Sequence, residues 1–338
     1  MSVDVIVGGQ GGDEGKGKIA AYLALKKNYS ICMRVPAPQA GHSIHYDGKR
    51  VGLALLPCGL VNKRSRLLIG AGGLLSVEKL LKEIEDTGII PGRLGIDYRV
   101  TIVTKDHLEE ERANNHLMKE IGSVGQGIGP CRRDKIMRKH DLKFAKDIPE
   151  LSRYLVDTKE EVYRAMQHGK TLLLEVDHGA KLDLNHGEYP YVTSRSTNAS
   201  AALGEAGIGP KYVNDSYVVL KPYVTRVGPG PLESEIMAED ALSWAHSTGG
   251  ETGTVSGRLR RMGKFEWKNV EEVLKMNSCT KIAITHMDCF KDIGKCLGYE
   301  TAEGFLGDVE SRLCQRFPFP SVSMLSYGPE EKDVVDVR

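Results

Sequence analysis

The chain has almost no excess of either charge, no apolar run long enough to cross a bilayer and no paired-cysteine motif. Each absence removes a class of function. Lys+Arg 46 against Asp+Glu 45 gives a formal net charge of +1, so a role in coating nucleic acid has no electrostatic basis. A nucleotide pocket needs only a local basic cluster. Without about 18 consecutive apolar residues there is no membrane span to place. The seven cysteines (Cys32, Cys58, Cys131, Cys279, Cys289, Cys296 and Cys314) are scattered, odd in number and free of C-x-x-C spacing. That usage fits reduced thiols in a cytoplasmic protein better than a disulfide frame or a zinc site. No signal peptide is read, because residues 3–7 already form a strand pattern. Linkers, low-complexity segments and internal repeats are also missing, so residues 1–338 are expected to form a single domain.

What is present is ordinary globular composition with many glycines, 38 of them without a period. Short β-rich apolar runs alternate with helical patterns. Strands are expected at 31–35, 67–69, 100–103, 171–175, 217–220, 281–285 and 322–325. Helices are expected at 76–85, 105–120, 148–168, 237–246 and 270–276. This alternation predicts an α/β fold with a mainly parallel central sheet covered by helices on both faces. Asp47-Gly48 before the run 51–56 adds a small antiparallel excursion. In such sheets ligands collect at the carboxyl ends of the strands.

The most informative stretch is Gly8-Gly9-Gln10-Gly11-Gly12-Asp13-Glu14-Gly15-Lys16-Gly17-Lys18. A strand enters it and a helical pattern leaves it, the order that cradles a phosphate. It departs from a regular Walker A loop, since Ile19 stands where a magnesium-binding Ser or Thr belongs. Asp13 and Glu14 inside an anion cradle make sense if one holds a metal or takes a proton.

Further segments carry chemistry. Gln39-Ala40-Gly41-His42-Ser43 places a histidine after a strand, able to donate a proton or bond a phosphate. Glycines around Ser123 and Val124 precede the basic cluster Arg132, Arg133, Lys135, Arg138 and Lys139, which suits a second phosphate or a solvated helix end. Thr193 and Ser194 follow an aromatic strand pattern. Thr225-Arg226-Val227-Gly228-Pro229 is a stiff loop. Thr254, Ser256, Arg258, Arg260 and Arg261 lie on a glycine-hinged loop suited to gripping a small carboxylate. Asp288 ends a strand, where it could read N–H groups of a base or cap a turn.

In this order, these segments resemble the adenylosuccinate synthetase family over nearly the whole chain, with a compact length like the archaeal forms. The resemblance implies a P-loop-related fold and a two-step carbon–nitrogen ligase. A nucleoside triphosphate phosphorylates the 6-oxygen of a purine nucleoside monophosphate, and L-aspartate displaces the phosphate. It implies Asp13 as base, His42 as acid and Lys16 on the phosphates, with Mg²⁺ held by Asp13 and the Gly41 carbonyl. Nucleotide contacts would come from Gly12, Glu14, Gly15, Gly17, Gln39, Ser123, Val124, His178, Thr193, Val227, Asp288, Ser326 and Gly328. Thr254, Ser256, Arg258 and Arg260 would bind aspartate. Arg138 would reach the neighbour's site across a homodimer.

The sequence departs from the family pattern at the expected ligand positions. Gly11 replaces Trp, Gln39 replaces Asn and Val124 replaces Thr. His178 replaces Gln, His286 replaces Lys and Tyr327 replaces Thr. Gly11 is expected to open room beside the loop, enough for an exocyclic 2-amino group. On this basis the chain is read as the phage-type branch. That branch acts on dGMP with ATP or dATP to give N6-succino-2-amino-2′-deoxyadenylate for 2-aminoadenine DNA, in the host cytoplasm. The alternatives are an adenylosuccinate synthetase using IMP and GTP, and a non-catalytic nucleotide-binding homologue.

Overall fold

A computed structural model of the chain describes residues 2–239, 243–245, 251, 257–317 and 320–337. Its centre is a ten-stranded sheet. Across it the strands run in the order Val334–Asp336, Ser321–Ser326, Lys281–Ile284, Val213–Leu220, Ser2–Gly8, Thr171–Gly179, Ile31–Arg34, Arg66–Ile69, Leu94–Asp97 and Leu155–Val156. Every neighbour pair is parallel except the edge pair Val334–Asp336 with Ser321–Ser326.

Parallel strands buried on both faces read as continuous apolar runs, and their alternation splits the core in two. Val3, Val5 and Val7 join Leu172, Leu174, Val218 and Leu220 on one face, under helices Thr158–Gln167, Ala199–Ala206, Trp267–Met276 and Ala302–Arg316. Ile6, Leu173, Tyr217 and Val219 face the other way, where helices Lys16–Lys26 and Val77–Thr87 pack. The expected α/β class and central strands hold.

The antiparallel excursion is the hairpin His42–Tyr46 with Lys49–Leu53, turned by Asp47 and Gly48, both at positive φ as this tight turn requires. All seven cysteines are unpaired. No helix among the described residues is long and apolar enough to cross a membrane.

Three expected elements differ. The helix expected at 148–168 is a short 3₁₀ turn, Pro149–Tyr154, then the strand Leu155–Val156, then helix Thr158–Gln167. The side chain of Asp157 accepts from the Glu160 N–H and so starts a new helix where the pattern reads as continuous. The helix expected at 105–120 stops at Ala113, where Asn114 turns extended, and a wider π turn, His116–Ile121, follows. Of 100–103 only Thr101–Ile102 is strand, paired with Leu74–Leu75 outside the main sheet. The helix expected at 237–246 lies partly outside the described residues.

Candidate active site

At the carboxyl ends of the central strands opens a cleft of about 790 Å³. The glycine-rich loop lies along it. Gly15, at φ 77, caps the helix Lys16–Lys26, whose first N–H groups have no partners within the helix. The loop packs closely on the next strand: a Cβ on Gly179 would stand 2.3 Å from both the Gln10 carbonyl and the Gly12 nitrogen.

The two loop carboxylates have opposite surroundings. Glu14 is fully buried and accepts from the Gln10 and Gly12 N–H groups, both at 2.9 Å, and from Lys16 Nζ at 2.7 Å. Burial alone would raise its pKa, but Lys16 and these hydrogen bonds hold it below the usual range. Its side chain therefore shapes the loop and does not line the cleft. Asp13, held at φ 66, lines the cleft instead. Its Oδ1 accepts from an Arg260 amino group at 2.7 Å. Burial raises Asp13 above the ordinary carboxylate value, against the pull of Arg260 and Lys221.

His42 faces Asp13's loop from the start of the hairpin. Its Nδ1 bonds Glu175, which also accepts from the Cys58 N–H at 2.8 Å. Burial and the charge of Arg34 lower its pKa against the pull of Glu175, and its Nε2 has no protein partner. His42, Cys58 and Glu175 bring three potential metal ligands within 4.8 Å of one another. Burial keeps the thiol protonated, and the carboxylate is already bonded, so the cluster reads as support for the imidazole.

His178, at φ 65, presents two ring nitrogens without partners, and burial drives its pKa down to about 3. The imidazole is therefore neutral at physiological pH. Gln39 Nε2 donates to Thr193 Oγ1 at 3.2 Å, while its Oε1, like Ser194 Oγ and Thr225 Oγ1, is buried without a partner. Buried polar atoms left unpaired are costly unless a ligand or water completes them, and these all line one cleft.

The cleft also gathers Gly12, Gly15, Gly17, Gly41, Ser123, Val124, Val227, Asp288 and Gly328. Ser326 sits behind it, its hydroxyl donating to the Gly328 carbonyl at 3.2 Å. Arg138 is exposed and outside it. Arg258 is not among the lining residues either. Its guanidinium donates to the Gly122 and Ser123 carbonyls at 2.8 and 3.1 Å, tying its segment to the Ser123 turn. Thr254 and Ser256 lie outside the described residues.

One expectation is overturned. Gly11 does not open room at its side-chain position: a Cβ there would lie 2.5 Å from the Thr225 carbonyl, so backbone fills the space.

Sequence reasoning missed a buried network behind Asp13. Arg260 bridges Asp13 and Glu251, and Glu251 also meets Lys221 Nζ at 3.2 Å and the Tyr223 hydroxyl at 2.5 Å. Burial would raise Glu251, but Lys221 and Arg260 hold it at about 2. The available signal was a lone carboxylate among glycines just before the arginine loop.

The comparisons bear on the family and the fold. The family model described as adenylosuccinate synthetase matches residues 5–148 and 140–319. An adenylosuccinate synthetase of Methanococcus vannielii is 40% identical, covering 100% of this chain and 99% of its own. One from Methanocaldococcus jannaschii is 39% identical, covering 100% and 97%. Among solved structures, fully ligated adenylosuccinate synthetase from Plasmodium falciparum superposes with TM-score 0.87 at 25% identity over all of both chains. Cyanophage S-2L succinoaminodeoxyadenylate synthetase, bound to dGMP and dATP, gives 0.81 at 22%, covering 99% of this chain and 95% of its own.

Proposed function

The chain belongs to the adenylosuccinate synthetase family, and we propose that it joins L-aspartate to C6 of IMP at the expense of GTP. The observation that carries this reading is the meeting of Asp13, the unpartnered Nε2 of His42 and a phosphate-cradling loop in one cleft. A purine 6-oxo group is a poor leaving group. Asp13, raised by burial above the ordinary carboxylate value, takes the N1 proton, and the 6-oxygen becomes nucleophilic. That oxygen bonds the γ-phosphorus as the bond to the β,γ-bridging oxygen breaks and the nucleoside diphosphate leaves. Lys16 and the loop amides oppose the negative charge on the phosphates. An incoming polyphosphate would raise the pKa of His42, so that Nε2–H donates to the moving phosphoryl group while Glu175 holds Nδ1. The aspartate amine then attacks C6, phosphate departs, and the C–N bond is made.

Asp13 and Gly41 line the same cleft, and the carboxylate of one and the backbone carbonyl of the other are oxygen donors. With triphosphate oxygens they would form an all-oxygen donor set of the kind Mg²⁺ takes. The ion would supply charge neutralisation on the phosphates. Arg138 is flanked by Ile136 and Met137, 73% and 70% exposed, which supports a face for a second copy of this chain.

The dGMP reading takes second place. Its support is that Gln39, Val124, His178 and His286, all departures from the family pattern, line the cleft. Against it, the room expected at Gly11 is filled by backbone. A non-catalytic homologue would have no use for Asp13, Lys16 and His42 together in one cleft. The deciding experiment crosses IMP, GMP and dGMP with GTP and ATP, with aspartate and Mg²⁺ present. Turnover with IMP is expected. Turnover confined to dGMP would reverse the order of the two readings, and none with any pair would sink both.

A further inference from the structure

Glu251 lines the cleft and is buried, and the reaction above leaves it without a task. All three of its oxygens are bonded. One carboxylate oxygen accepts from Lys221 Nζ at 3.2 Å and from the Tyr223 hydroxyl at 2.5 Å. The other accepts from Arg260 Nη1 at 3.1 Å. Its backbone carbonyl accepts from the Arg260 N–H at 3.0 Å. Arg260 is thus bonded twice, through main chain and side chain, to a residue nine positions earlier.

Lys221 and Tyr223 are buried as well, and the glycine-rich loop fixes their backbone. Gln10 Oε1 accepts from the Lys221 N–H at 3.0 Å. Its Nε2 donates to the Lys221 and Tyr223 carbonyls at 3.0 and 3.3 Å. A closed circuit results, running from the loop of Asp13 through Gln10, Lys221, Glu251 and Arg260 and back to Asp13.

An arginine beside a carboxylate commonly grips it as a fork, with two parallel N–H bonds to its two oxygens. Arg260 divides its amino groups instead: Nη1 goes to Glu251, and Nη2 goes to Asp13 Oδ1 at 2.7 Å. A fork would occupy both oxygens of the group that takes the N1 proton. Nothing in the flexible arginine stem forbids it, but a second carboxylate competing for the guanidinium does. We propose that Glu251 is a positioning residue: by holding one amino group of Arg260, it limits that arginine to a single bond with Asp13. The second Asp13 oxygen is thereby kept for the reaction. The proposal rests on the ligase reading above and names the residue that keeps its base usable.

The test uses Glu251→Gln alone and Glu251→Gln combined with Lys221→Met. The single change leaves the Lys221 charge buried beside a neutral amide, whereas the double change removes both charges at nearly constant volume. Steady-state rates are measured with the purine monophosphate that wild type turns over, its triphosphate donor, aspartate and Mg²⁺, and crystal structures of both variants are determined. In each variant kcat is expected to fall by about a hundredfold, with KM for the two nucleotides changed by no more than about threefold. Wild-type kcat in the double variant overturns the proposal, because a carboxylate that only balances Lys221 is dispensable once Lys221 is gone. Equal rises in every KM at unchanged kcat overturn it too. If wild type turns over no purine monophosphate, the ligase reading fails, and the crystal structure of the double variant decides the positioning claim. Arg260 forked onto both Asp13 oxygens is the expected result there, and a retained single bond overturns the proposal.

Discussion

Two parts of one cleft are prepared for a ligand in different ways. Along the glycine-rich loop the charges already hold protein partners: Lys16 with Glu14, Asp13 with Arg260, Lys18 with the Gly328 carbonyl. On the other side the groups are neutral, and both His178 ring nitrogens, Gln39 Oε1, Ser194 Oγ and Thr225 Oγ1 are unpaired. A buried charge without a partner is far more costly than a neutral group without one, so the difference follows from solvation. A charged ligand must exchange partners at the loop. A purine need only complete hydrogen bonds on the other side.

Four experiments break or sharpen that comparison. Asp13→Asn should lower kcat by about a thousandfold or more, the scale of losing a general base, with nucleotide affinity changed only a few-fold. Turnover near wild type would remove Asp13 from the base role. Glu14→Ala strands Lys16 and two backbone N–H groups. It should cost about 3 kcal/mol in urea unfolding, the range for breaking a buried ion pair; an unchanged midpoint would make the pairing at the loop incidental.

The third experiment concerns pH. Glu14, Glu175, Asp177 and Glu251 all titrate below their usual values when folded, so they bind protons less readily than the unfolded chain. Their contribution to stability is full above the unfolded carboxylate range. It is lost as pH falls from about 4.5 through the folded values, which for Glu251 is about 2. Urea midpoints at pH 7, 5, 4 and 3 should fall mainly over the lowest two steps. Activity should fail earlier on the acid side, because Asp13 is raised and must be ionised to act. The smallest effect is expected of Arg258→Leu. It removes two bonds to the Ser123 turn and should raise KM values by a few-fold, with kcat little changed.

Local signals made much of this molecule legible. The strand, glycine-rich turn and helix around Asp13 are contiguous in sequence, and so are the apolar runs of the sheet. Glu175 with His42, Asp177 with Arg34 and Glu251 with Lys221 are pairs 133, 143 and 30 residues apart, which no spacing rule brings together. The helix expected at 148–168 failed because one capping aspartate outweighs a periodic pattern. The space expected at Gly11 failed because a missing side chain was read without knowing which backbone lies against it.

That backbone ties position 11 to the arginine beside Asp13. The Thr225 carbonyl belongs to the strand Tyr223–Val227, where Val227 pairs with Arg260 of the strand Arg260–Lys264. Any larger residue at position 11 must push this strand, and with it the arginine that holds Asp13. The glycine and this two-stranded sheet are therefore coupled, so a bulky residue fits at position 11 only if the sheet shifts as well. Gly11→Trp alone should therefore disturb the Asp13–Arg260 pair and lower activity.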